Sequence, residues 1–168
     1  MIPPLVAVEG AEFPALPPGI HRCSVEELRA AFVDAFPSSA SREWIFSGFL
    51  KLRETALRCG LRGFQWIDGS FAEGKLDPND VDVVTVCTFD SVASAAAQDF
   101  AASVLANGER TKTIFQTDSF LLVELPEGHP KRDEFLEDMA SWREFWGRTR
   151  SGVAKGFLQI DLHSEGEP

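Results

Sequence analysis

The stretch Val81-Asp-Val-Val-Thr-Val-Cys87 constrains the fold of this chain more than any other. It is β-branched and apolar at nearly every position, the pattern of a strand buried on both faces rather than one with a wet side. Such a strand needs neighbours in a sheet and a covering layer above and below, which makes the chain a layered, mixed α/β domain. Asp82 interrupts the run. A carboxylate there is costly unless it is paired or liganded, so the strand that dictates the fold also marks a site.

The flanking segments supply the layers. Ser24-Val-Glu-Glu27 is a capping box that starts a helix, and Pro37 stops it. A second helix is expected from about Ser41 to Cys59, with Ile45, Phe49, Leu52 and Ala56 inward and Gly60 as its left-handed terminator. Phe64–Ile67 reads as a short strand, Asp68-Gly69-Ser70 as a turn and Phe71–Asn79 as a loop. An Ala-rich helix is expected over Ser91–Asn107, ended by Gly108, then a long strand over Thr113–Leu125. A helix over Lys131–Trp146 follows, turning Phe135, Met139, Trp142 and Phe145 or Trp146 inward, and Gly156–Leu162 closes with a strand. The order α–α–β–β–α–β–α–β is that of an α+β domain, a mixed sheet flanked by helices. With 168 residues one domain is expected, over 23–163. Five prolines make 1–22 an extended, mostly irregular arm, and 164–168 reads as a flexible tail.

Charge and composition narrow the function. A net charge of −10 and a pI near 4.7 argue against a broad nucleic-acid footprint and suit a surface that gathers divalent cations or a basic partner. No apolar stretch is long enough to span a bilayer, and MIPPLVAVEG lacks the basic-then-apolar build of a secretion signal. Three unpaired cysteines fit a reducing compartment, with the cytoplasm expected. Neither a P-loop nor a dinucleotide-binding glycine motif occurs, and His21, His129 and His163 have no metal-ligand spacing.

The informative constellation is Asp68-Gly69-Ser70, nine loop residues, then Asp80-Val81-Asp82. Alternate residues of a strand share a face, which sets Asp80 and Asp82 side by side, roughly 6.5–7 Å apart at Cα. Two carboxylates this close repel unless a cation lies between them, and paired divalent metals suit in-line phosphoryl displacement. Gly69 lets the backbone approach a ligand, and Ser70 offers a hydroxyl and an N–H to a phosphate oxygen.

Gly-Ser, a loop, then Asp-x-Asp entering an apolar strand resembles the signature of the polymerase-β-like nucleotidyltransferase superfamily. Leu16-Pro-Pro-Gly-Ile-His21, Ile67-Asp-Gly-Ser-Phe71, Pro78-Asn-Asp-Val-Asp82 and Lys155-Gly156 also resemble a family of small bacterial proteins of that fold. The resemblance implies a single-domain nucleotidyltransferase fold and an Mg²⁺- or Mn²⁺-dependent transfer of a nucleotidyl group from an NTP to a protein, RNA or small-molecule acceptor. It implies Asp80 and Asp82 as metal ligands, with Gly69 and Ser70 on the triphosphate. A third carboxylate, ligand and base at once, is expected on a later strand: Asp118 first, then Asp161, then Glu124. Two positions depart from the motif: Asp68 stands where an apolar residue is usual, and Glu73 where arginine is frequent. A carboxylate beside a triphosphate calls for a compensating base, with Lys75, Lys155 and Arg148 the candidates. Small size, high acidity and the departures at Asp68 and Glu73 suit a second function, a nucleotidyltransferase-like antitoxin or antiviral-defence component that binds a toxin-like partner.

Overall fold

A computed structural model of the chain describes residues 1–163; the tail expected at 164–168 lies outside the described residues. Among the described residues the strands are β1 (Gly19–Arg22), β2 (Gly63–Asp68), β3 (Val81–Thr88), β4 (Thr117–Glu124) and β5 (Gly156–Leu162). They form one mixed sheet in the order β1-β5-β2-β3-β4. β3 pairs antiparallel with β2 and parallel with β4, so the apolar run is held on both sides as well as on both faces.

Period-two alternation sorts the sheet's side chains between two layers. Val81, Val83, Ile67 and Leu158 pack against Ile45, Phe46 and Phe49 of α2 (Arg42–Arg58) and Leu28 of α1 (Val25–Arg29). Cys87 and Leu162 meet Ala97 and Phe100 of α3 (Ala95–Phe100). On the opposite face Trp66, Val84, Val86 and Phe157 pack against Phe135, Met139 and Trp146 of α5 (Arg132–Trp146). Trp146 is the residue that turns inward; Phe145 is exposed. Each fully buried large side chain contributes about 1.5–3 kcal/mol of transfer free energy, so both layers carry weight in holding β3 in place.

Two stretches differ from expectation. The proline-rich arm is not irregular to its end, because Gly19–Arg22 pairs parallel with β5 as an edge strand. Edge strands and strand starts tolerate the preceding Pro17-Pro18, since only one side of the backbone is paired. The second difference lies between β3 and β4. Thr113–Phe115 belongs to a helix, α4 (Gly108–Phe115), and the strand begins at Thr117. Gly108 starts this helix rather than ending the one before: Asn107 accepts the Arg110 N–H at 3.1 Å as its N-cap. Gln116 ends it in the left-handed conformation, and its carbonyl accepts the Val81 N–H at 3.1 Å, tying the start of β3 to the start of β4.

The loop between β2 and β3 is fixed by one side chain, Arg42, which is fully buried at the start of α2. Its guanidinium donates to the carbonyls of Phe32, Phe71, Glu73, Lys75 and Leu76 at 2.6–3.3 Å. All five N–H donors are spent on backbone, which a lysine with three donors could not match. Burial pulls Arg42 down to about 10, so it stays charged at neutral pH. Asp77 clamps the same loop by accepting from Ser39 Oγ at 3.0 Å and the Ala40 N–H at 2.7 Å.

Candidate functional site

The strand register brings three carboxylates into one row. Asp82 on β3 is the partner of Asp68 on β2 and of Asp118 on β4. Residues directly opposite in neighbouring strands share a face, and strands lie about 4.8 Å apart, so Asp68, Asp82 and Asp118 stand abreast at one end of the sheet. Their face is the one α5 covers, since Trp66, Val84 and Phe120, two residues further along, belong to that layer. Asp80 sits just before β3 and adds a fourth carboxylate.

Two glycines close on this row. Gly69 has φ +76, a conformation side chains rarely adopt, and a Cβ built on it would collide with Asp82 Oδ2. Gly108, the first residue of α4, faces Asp118 in the same way: its Cβ would strike Asp118 Oδ1. Backbone thus approaches two carboxylates more closely than any side-chain-bearing residue would allow.

Two lysines serve the row from either end. Lys155 precedes β5 and is 6% exposed; its Nζ lies 2.5 Å from Asp68 Oδ1 and 3.5 Å from Glu73 Oε1. The two departures from the motif therefore share one buried cation. Burial still pushes the Asp68 carboxyl up to about 7, with Lys155 pulling the other way. Lys112 lies one turn after Gly108 on α4, so both face the row. Its Nζ is 2.7 Å from Asp118 Oδ2 and 3.5 Å from Asp80 Oδ2, and its side chain is 41% exposed. Asp82, between the two pairs, is pushed up to about 6 by burial first and then by the charges of Asp80 and Asp118. Lys112 and Lys155 pull the other way without offsetting burial and those two charges.

A family model matches residues 9–161, from the N-terminal arm into β5. The chain belongs to DUF6932, a family of unknown function. Neither a curated protein nor a solved structure matches it.

Within this DUF6932 fold, Asp118 is the register partner of Asp82, Lys112 reaches both Asp118 and Asp80, and Gly69 and Ser70 lie beside Asp82 at the end of β2. Asp161 and Glu124 do not join. Asp161 pairs with Phe64, four residues along β2 from Asp68, and Glu124 pairs with Thr88 at the far end of β3, about 20 Å away at roughly 3.3 Å per residue. Lys75 contributes its carbonyl to Arg42, while Lys155 is committed to Asp68 and Glu73. Arg148 is exposed, donating to the Gly152 carbonyl at 3.1 Å. Sequence reasoning missed Lys112, Arg42 and the membership of Asp68 in the row. The signal for Lys112 was Asn107-Gly-Glu as a helix start, which puts Lys112 a turn from Gly108.

Carboxylate oxygens are the donors that Mg²⁺ and Mn²⁺ prefer. In kind, then, Asp80, Asp82 and Asp118 fit the cation. Their arrangement is a different matter: among the described residues no three His, Cys, Asp or Glu side chains are grouped to hold a metal ion. The Lys112 ammonium stands between two of the three carboxylates. No helix among the described residues is long and apolar enough to cross a membrane.

Proposed function

We propose that this protein is a divalent-metal-dependent nucleotidyltransferase of the cytoplasm, moving an NMP group from an NTP to a hydroxyl or phosphate of a protein, RNA or small-molecule acceptor. The observation that carries the reading is the row itself: Asp82 in register with Asp118, beside Asp80, with the Gly69 backbone closed against Asp82 Oδ2. Gly69 and Ser70 would hold the triphosphate through backbone N–H groups and the hydroxyl, on a turn that Arg42 and Asp77 keep in place. Asp80, Asp82 and Asp118 would hold Mg²⁺ or Mn²⁺, which when bound supplies neutralisation of phosphate charge. Asp118 would take the proton from the acceptor hydroxyl as its oxygen bonds to the α-phosphorus and pyrophosphate leaves.

A second reading has an observation of its own. Lys112 and Lys155 already offset Asp80, Asp118, Asp68 and Glu73, and Phe145 stands exposed on α5 beside Trp142. Both features suit a nucleotidyltransferase-like antitoxin or defence component that works by contact with a partner protein.

Calorimetric titration with ATP, CTP, GTP and UTP in the presence of Mg²⁺ separates the readings. The wild type is expected to bind at least one nucleotide, and Asp82→Asn to lose that binding while remaining folded. Absence of binding by any of the four removes the enzyme reading. Retention by Asp82→Asn of partner neutralisation in cells would favour the contact reading.

A further inference from the structure

Lys112 reaches Asp118 and Asp80 from α4 with a side chain two-fifths exposed. Its position is set by the fold rather than by chance contact. Asn107 caps the helix, Gly108 lets its first turn close on Asp118, and the i, i+4 step brings Lys112 over the same carboxylate. A single positive charge facing Asp80, Asp82 and Asp118 leaves the group net negative. A divalent cation would offset that charge more fully, yet it needs the same oxygens. Because the side chain is two-fifths exposed, the ammonium can rotate away from the row toward water and be re-solvated at little cost. Lys155 has no such route, being buried to its tip.

We propose that Lys112 is the exchangeable counter-ion of the carboxylate row: its ammonium holds Asp80 and Asp118 together in the absence of metal and must be displaced before a divalent cation binds, so that Lys112 sets the metal affinity of the site. The proposal rests on the reading of the row as a divalent-cation site. Under it, Lys112 is a positioning residue rather than a ligand, and metal uptake expels it from the row.

The test uses Mn²⁺ as the probe on full-length, chelator-treated protein. Titration calorimetry compares wild type, Lys112→Met and Lys112→Arg. Lys112→Met keeps the length of the arm without its charge and is expected to bind Mn²⁺ about tenfold more tightly, the size expected from relieving two partly exposed ion pairs. Lys112→Arg, which keeps the charge, is expected to bind no more tightly than wild type. A merely structural lysine would not raise affinity when removed. Equal or weaker binding by Lys112→Met overturns the exchange while leaving the metal site standing. Failure of all three proteins to bind Mn²⁺ overturns the exchange and the metal reading together. Should Lys112→Met fail to fold, wild-type NMR decides: Mg²⁺ is expected to shift the Lys112 ε-methylene signal toward that of a free lysine, and an unmoved signal at saturating Mg²⁺ contradicts the proposal.

Discussion

Lys155 and Lys112 both neutralise carboxylates of the same row, and the contrast between them separates scaffold from site. Lys155 sits at 6% exposure against a carboxylate that is equally shut from water, with Glu73 behind it. Lys112 spans Asp80 and Asp118 at the edge of solvent. Coulomb attraction is common to both; burial is what differs. A buried charge whose partner is removed has nowhere to be solvated, whereas an exposed one merely turns to water. The same chemistry therefore fixes Asp68 permanently at one end and leaves Asp80 and Asp118 available at the other.

The largest effect should come from breaking the buried end. Lys155→Ala strands Asp68 in the interior, and we expect it to lose about 3–5 kcal/mol of stability in chemical denaturation. Lys112→Ala should change stability by less than about 1 kcal/mol, as partly exposed pairs do. Comparable losses in the two variants would erase the distinction.

A smaller effect is expected from pH. In the folded protein Asp82 titrates at about 6 rather than at its ordinary 3.8, so folding takes up a proton between those values. The stability that the protonated group allows is complete below about pH 4 and is lost as pH rises through about 6. Denaturation midpoints followed across this window should fall less steeply in Asp82→Asn than in wild type. Identical slopes would mean that burial and the charges of Asp80 and Asp118 do not raise the Asp82 carboxyl.

How much of this could be read from the chain follows from what sequence patterns encode. The β-branched run at 81–87 announced a doubly buried strand, and Asp82 within it stood out as a carboxylate in need of a partner. That Asp118 would lie beside Asp82 followed from chain connectivity, because a strand, a helical crossover and a second strand return to neighbouring positions; β4 pairs parallel with β3 in that way. Lys112 was lost because Thr113-Ile-Phe-Gln-Thr117 has the β-branched look of a strand, while the cap that makes 108–115 helical is a single asparagine followed by a glycine that also reads as a stop. Arg42 left no trace in local pattern, since its partners are carbonyls from two separate stretches of chain. Asp68 looked like a flaw in a motif until its cation, Lys155, arrived from the residue just before β5, 87 positions along the chain.

The central claim, that Asp80, Asp82 and Asp118 form a divalent-cation site beneath a triphosphate held by Gly69-Ser70, is tested most directly by diffraction from crystals soaked with Mn²⁺ and a non-hydrolysable NTP. Anomalous manganese density is expected within ligand distance of Asp82 and Asp118, with triphosphate density over the Gly69-Ser70 turn and the Lys112 ammonium withdrawn from Asp118. Manganese absent from the row at saturating concentration, with Lys112 still bridging Asp80 and Asp118, would contradict it.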